Sequence, residues 1–99
     1  MSYNIELHPL AVQELRESYQ WYEEQRAGLG ARFIASFNKR LKEIKKQPER
    51  YVKKKGNYRE ALIEVFPYLI IYEVLKEDQI IFISYIFHTK RNPRLKYKR

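Results

Sequence analysis

The sequence contains no cysteine, and it has only three glycines and four prolines in 99 residues. Without cysteine the chain can form neither a disulfide nor a thiolate nucleophile, and every metal site that requires a cysteine ligand is excluded. The scarcity of glycine and proline, together with 44% hydrophobic residues, excludes a low-complexity or disordered chain. A single folded domain over residues 1–99 is therefore expected.

Long hydrophobic runs are also missing from the sequence. No apolar stretch approaches the roughly 20 residues that cross a bilayer. The first residues, MSYNIELHPL, lack the basic start and the apolar stretch of a signal peptide. Because the lack of cysteine is compatible with a reducing compartment, we expect a soluble cytoplasmic protein with no membrane partner.

Acidic residues are scarce in two parts of the sequence, so the net charge of +8 is unevenly placed. Residues 38–59 contain ten Lys or Arg and two acidic residues, and residues 88–99 contain six Lys or Arg and no acidic residue. Residues 1–37 and 60–87 are net negative, at −2 and −4. Two basic blocks separated in this way predict a one-sided positive field, which would attract phosphates or an acidic protein.

Hydrophobic periodicity predicts a short strand and two helices in the N-terminal half. Apolar residues alternate in SYNIEL (2–7), which is typical of a strand. Residues 8–25 predict a helix that begins near Pro9, with an apolar face formed by Val12, Leu15, Tyr19 and Tyr22. GLG at 28–30 separates this helix from a second one over 31–47. The second helix has an apolar face formed by Phe33, Ile34, Phe37, Leu41 and Ile44, and the two helices should form an antiparallel hairpin.

The periodicity changes to two in the C-terminal half. Three strands are predicted over residues 58–66, 68–75 and 79–88, with short turns at Pro67 and in the polar segment KEDQ. Short connections make such strands antiparallel neighbours. The predicted fold is therefore α+β: an N-terminal strand and an antiparallel helical hairpin packed on a mainly antiparallel sheet.

Four segments, in this order and spacing, resemble the RelE/ParE superfamily of toxins from bacterial type II toxin–antitoxin systems. The segments are WYEEQRAGLGARF, KEIKKQPERY, YREALIEVFPYLIIYEV and IIFISYIFHTKRNP, and the resemblance covers about residues 14–93. It implies the same hairpin-on-sheet fold. It also implies a cognate antitoxin whose C-terminal segment, often acidic, folds along the toxin surface. Operator DNA would be bound through the antitoxin.

RelE-like and ParE-like members differ in what they attack. RelE-like toxins cleave mRNA without a metal ion, typically in the ribosomal A site, whereas ParE-like toxins inhibit DNA gyrase as protein ligands. The patterns WYE…GLG…F, P-x-x-Y at 48–51 and FPY at 66–68 resemble the ParE-like branch and its plasmid-stabilisation relatives. A gyrase inhibitor is therefore the favoured hypothesis. An mRNA endonuclease is the alternative, and a non-toxic interaction module of the same fold is a third.

The RelE-like alternative requires a set of catalytic side chains. Metal-independent RNA cleavage needs a base for the 2′-hydroxyl, a cation for the charge that develops at the phosphate, and an acid for the leaving oxygen. His88 is the candidate acid or base, and Arg59 and Arg91 could clamp a phosphate. Glu64 is a candidate base, and Tyr97 could stack on a base or donate a proton.

Each candidate also has a structural interpretation. His88, at a strand end, could bond only to backbone, and Arg59 could pair with a carboxylate across the sheet. Glu64 fits a partly solvated, cross-strand pair, and Lys53–Lys55 fit a solvated loop. No metal or cofactor is expected, because the two histidines, His8 and His88, have no metal-site spacing and the chain has no glycine-rich phosphate loop.

The basic C-terminal tail, residues 92–99, begins with a turn at Asn92-Pro93. Residues 94–99 are expected to be mobile in the absence of a partner. Their charge is read as a docking surface, for the antitoxin first and for the target second. The residues expected to contact nucleic acid or another target are Lys53, Lys54, Lys55, Arg94, Lys96, Lys98 and Arg99.

Overall fold

The computed structural model describes residues 2–99 and confirms the predicted α+β fold. Its elements are β1 (Asn4–Leu7), α1 (Pro9–Gln25), α2 (Leu29–Lys46), β2 (Lys53–Lys55), β3 (Tyr58–Leu62), β4 (Tyr68–Leu75), β5 (Ile80–His88) and a 3-10 helix (Pro93–Leu95). Neither α1 nor α2 is apolar enough over a sufficient length to cross a membrane.

The five strands form one sheet in the order β1-β5-β4-β3-β2. β1 runs parallel to β5, and the other neighbouring pairs are antiparallel. β2 is a short edge strand where the sequence had suggested a loop. β3 ends at Leu62 and not at residue 66 as expected, because the backbone turns before β4 and Val65 there has a left-handed φ of +76°.

The two helices cover one face of the sheet and form the main core with it. The largest buried side chains of this core include Phe33, Ile44, Ile70, Tyr72 and Ile83. The predicted apolar face of α2 is confirmed, since its five members are either buried or packed against the core. The opposite face of the sheet carries a smaller buried cluster of Ile71, Tyr85 and Phe87.

Two of the four side chains on the predicted apolar face of α1, Leu15 and Tyr22, pack into the core, and the other two do not. The observed row is Ala11, Ser18 and Tyr22, with Leu15 half-buried beside them. Val12 and Tyr19 were expected on the apolar face but are 38% and 37% exposed. Both rows have helical spacing, and the small side chains of the observed row allow close packing. The Ser18 hydroxyl donates to the carbonyl of Glu14 at 2.8 Å, so burying it leaves no unpaired donor.

Local hydrogen bonds fix the start of α1 and the start of α2. The Nδ1 atom of His8 accepts a hydrogen bond from the backbone N–H of Leu10 at 3.0 Å, and Pro9 occupies the first turn as predicted. After α1, Gly28 adopts a φ of +87°. The Glu23 carboxylate accepts hydrogen bonds from the N–H groups of Gly28 and Ala31 at 3.1 Å each, so it caps the start of α2.

Gly30 is the point of closest approach between the two helices. A Cβ atom at this position would lie 2.6 Å from the carbonyl oxygen of Tyr19 and 2.6 Å from Cγ of Glu23. The backbone contact cannot be relieved by a rotamer change, so a larger residue would push the helices apart. The hairpin packing therefore depends on this glycine.

We predict that Gly30→Ala lowers the free energy of unfolding by about 1–3 kcal/mol, the usual cost of overpacking. Urea denaturation followed by circular dichroism measures it. Gly28→Asn is the matched control, because nothing lies within 4 Å of a Cβ there and Asn tolerates a positive φ. Equal stability of Gly30→Ala and the wild type would show that the helices do not approach as described.

Candidate functional site

The edge of β5 loses its neighbouring strand before β5 ends. β1 pairs with β5 only as far as Leu7 opposite Ile83, and the chain then turns into α1. Beyond that point the N–H of Ile86 donates to Oε1 of Glu14 at 3.0 Å. A carboxylate from α1 thus replaces the missing strand at this edge.

The same Glu14 carboxylate binds the end of the tail. The Arg99 guanidinium donates to Oε1 at 3.0 Å and to Oε2 at 2.7 Å, and Arg91 donates to Oε2 at 3.4 Å. The Glu14 side chain is only 13% exposed, so these are largely desolvated contacts. The hydrogen bonds to Glu14 raise the pKa of Arg99. Arg99 also lies over the ring of Tyr85, 4.2 Å from its centroid.

A second carboxylate, Glu60 on β3, holds the middle of the tail. Its Oε2 atom pairs with Nζ of Lys96 at 3.2 Å and accepts a hydrogen bond from the hydroxyl of Tyr97. The Glu60 side chain is 7% exposed. Burial, followed by the hydrogen bond to Glu60, raises the pKa of Tyr97. Tyr97 has a φ of +65°, a conformation that a non-glycine residue keeps only when its contacts impose it.

The expectation of a mobile tail is therefore wrong. Residues 94–99 pack on the face of the sheet that the helices leave open, and the hydroxyl of Tyr58 donates to the carbonyl of Arg99 at 2.9 Å. The physical reason is that Tyr85 and Phe87 need a cover, and two carboxylates supply fixed partners for the tail's cations.

Two of the candidate catalytic residues, His88 and Arg91, line one concavity of about 250 Å³ between α1 and β5. Trp21 forms part of its wall and is 54% exposed. The Nδ1 atom of His88 accepts a hydrogen bond from the N–H of Lys90 at 3.1 Å, and its ring packs edge-on against Tyr68. These contacts fix the orientation of the imidazole at the end of β5.

The other candidates lie elsewhere. Arg59 donates to the carbonyls of Glu49 and Tyr51 at 3.0 and 2.6 Å, and it lines a different concavity near β2. Its side chain is 12% exposed and lies 3.9 Å from the carboxylate of Glu49, which belongs to the turn between α2 and β2 and not to a neighbouring strand as expected. Tyr97 lies on the open face. Glu64 follows β3 in an exposed turn, where it pairs with Lys39 at 3.3 Å. The four nuclease candidates Arg59, His88, Arg91 and Tyr97 thus do not face one phosphate.

The predicted docking cations divide into two groups. Lys96 and Arg99 are held by carboxylates within the chain. The other docking cations have exposed side chains: Lys53, Lys54, Lys55, Arg94 and Lys98. Among residues 2–99, no group of three or more His, Asp and Glu side chains is placed to hold a metal ion.

Sequence reasoning missed both carboxylates that organise the tail. A signal for Glu14 was present, because it adjoins Leu15 and lies one turn from Ala11 and Ser18 on the buried side of α1. A carboxylate at such a position needs a partner. The chain end supplies that partner, which no local pattern reveals.

We predict that Tyr97→Phe lowers the free energy of unfolding by about 1–3 kcal/mol, because it leaves the buried Glu60 carboxylate with one partner fewer. Urea denaturation measures the loss. Tyr19→Phe removes the same hydroxyl from an exposed side chain and should be nearly neutral. A neutral Tyr97→Phe variant would contradict the role given to this hydrogen bond.

The sequence and the fold were compared with those of known proteins. Residues 5–93 match the model of a family described as the ParE toxin of the type II toxin–antitoxin system, parDE. No curated protein sequence matches the chain.

Solved structures of toxins share the fold at low sequence identity. A chain of the chromosomal ParDE system from P. aeruginosa superposes with a TM-score of 0.76 at 13% identity, covering 89% of this chain and 97% of that one. A mutant of the E. coli toxin RelE in complex with an antitoxin RelBc peptide superposes with a TM-score of 0.67 at 18% identity. The match covers 88% of this chain and 83% of that one. A chain of the intact E. coli RelBE complex superposes with a TM-score of 0.64 at 17% identity. The match covers 90% of this chain and 99% of that one.

These identities establish the fold alone, and the family model adds the family. It spans nearly the whole chain, including both helices and β5. The resemblance seen in the sequence is therefore confirmed. This chain belongs to the family of ParE toxins of type II toxin–antitoxin systems.

Proposed function

We propose that this protein is a ParE-like toxin that inhibits DNA gyrase by binding to it. The observation that carries the proposal is the separation of the candidate catalytic side chains. Arg59 lies near β2, His88 and Arg91 lie beside α1, and Tyr97 lies on the open face of the sheet. A toxin that acts as a protein ligand needs no such convergence.

The contacts of the same side chains also support a binding mechanism over a catalytic one. General acid–base catalysis requires groups within hydrogen-bonding reach of one substrate. Arg59 is occupied by two backbone carbonyls, and the hydroxyl of Tyr97 is occupied by Glu60. Burial raises the pKa of Tyr97, and its hydroxyl acts as a structural donor to Glu60.

A RelE-like mRNA endonuclease is the second candidate. It is favoured by the shared concavity of His88 and Arg91, where Trp21 offers an exposed ring on which a base could stack. In that case His88 would supply the titrating group and Arg91 the phosphate contact. Glu64 would have no part, because its exposed turn carries it toward Lys39.

A cognate antitoxin is part of the proposal. The structural relatives include a RelE mutant bound to an antitoxin peptide and the intact RelBE complex. An acidic antitoxin segment would be attracted by the net charge of +8. The exposed cations that contribute to this charge include Lys53–Lys55, Arg94 and Lys98. Operator DNA would be bound through the antitoxin.

The test measures gyrase inhibition by the purified protein and, in parallel, mRNA cleavage in cells that express it. We expect gyrase-dependent supercoiling to be inhibited by the wild type and equally by His88→Ala. We also expect primer extension on mRNA from expressing cells to show no new 5′ ends. The opposite result would be intact supercoiling together with new mRNA ends that fall by about 100-fold in His88→Ala, which would establish the endonuclease. Loss of both activities would leave a non-toxic interaction module.

A further inference from the structure

We propose that the C-terminal half of α2 and the turn after it form a binding surface for the phosphate backbone of duplex DNA. This surface, called here the α2 basic surface, consists of Lys42, Lys45, Lys46 and Arg50. It lies outside the concavity of His88 and outside the tail. The proposal does not depend on whether gyrase is the target.

Helical geometry places these cations on one strip. Lys42, Lys45 and Lys46 stand at spacings of three and four residues, so their side chains are neighbours on the helix surface. Lys46 and Arg50 line a further concavity of about 400 Å³, which extends the strip beyond the end of α2. The four cations therefore form a continuous positive surface about two helical turns long.

The cations of the α2 basic surface are free to bind a ligand. Among residues 2–99, none of the four takes part in an ion pair. The two nearest carboxylates in sequence are already used. Glu43 pairs with Arg40 at 3.0 Å, and Glu49 pairs with Lys76 at 3.0 Å. The hydrogen bond from Lys76 lowers the pKa of Glu49.

The helix dipole explains only part of this arrangement. Cations in the last turn of a helix, such as Lys45 and Lys46, complement the partial negative charge of its C-terminus. That effect falls off within one turn, so it does not account for Lys42, and Arg50 lies beyond the helix. A surface charge that the fold does not need points to a ligand.

The side chains of this surface suit phosphate better than protein. Stable protein interfaces are depleted in lysine and depend on buried aromatic or apolar anchors. The α2 basic surface has no exposed aromatic residue within residues 39–50, and Ile44 is buried. Contacts with a nucleic-acid backbone, in contrast, require only cations along the groove edge.

The same feature favours duplex over single-stranded nucleic acid. Proteins that bind single strands stack bases on exposed aromatic rings. Tyr51, which follows Arg50 in the sequence, has the guanidinium groups of Arg40 and Arg50 over its ring, at 5.9 and 6.0 Å from its centroid. The surface therefore offers charge without a stacking platform, which matches a paired backbone.

The test is fluorescence anisotropy with a random-sequence DNA duplex of about 25 base pairs at a series of salt concentrations. The wild type should bind with a slope of log K against log [salt] of about −3 to −4, which corresponds to four phosphate contacts. The triple variant K42Q/K45Q/K46Q should bind at least about tenfold more weakly at low salt, with a slope smaller by about 3.

The matched control is R16Q/R26Q/R32Q, which removes the same charge from three exposed positions outside the described ion pairs of residues 2–99. It should bind DNA within about twofold of the wild type. An equal loss in both variants would overturn the proposal in favour of a net-charge effect. Tighter binding to a single strand or to polyglutamate would overturn it in favour of RNA or an acidic protein. Circular dichroism of both variants confirms that they fold, and gyrase is absent from the assay.

Discussion

Ile86 donates its backbone N–H to the carboxylate of Glu14 at a point where β5 has no neighbouring strand. Much of the site depends on this contact. It fixes α1 against the sheet and leaves the other lone pairs of the carboxylate directed at Arg91 and Arg99. Burying the Glu14 carboxylate without cationic partners would cost free energy. The cations of the tail therefore stabilise the carboxylate at this position.

The tail in turn determines what the sheet can offer a partner. Residues 96–99 cover the cluster of Tyr85 and Phe87, so this part of the open face presents cations and aromatic edges. The tail network uses three cations that the sequence analysis had assigned to a phosphate or a target: Arg91, Lys96 and Arg99. The charge left for a partner lies on β2, on Arg94 and Lys98 of the tail, and on the α2 basic surface. This distribution of charge is why the proposed mechanism is binding through surfaces.

The sequence predicted the fold well because the fold follows from local patterns. Helical spacing and strand alternation located both helices and four of the five strands. Those patterns do not distinguish two rows with the same spacing, so Val12 and Tyr19 were placed in the core instead of Ala11 and Ser18. The candidate site was harder to predict from the sequence. Glu14 meets Arg99 across 85 residues, and such a contact depends on tertiary packing that periodicity does not carry.

The most direct test of this account is a double-mutant cycle on Glu14→Gln and Arg99→Gln, measured by urea denaturation. Glu14→Gln keeps an acceptor for the N–H of Ile86 while removing the charge that binds Arg99. Because both side chains are largely buried, with 13% and 16% exposure, a coupling free energy of about 1.5–3 kcal/mol is predicted. Additive effects, with coupling below about 0.3 kcal/mol, would mean that Glu14 does not hold the end of the tail.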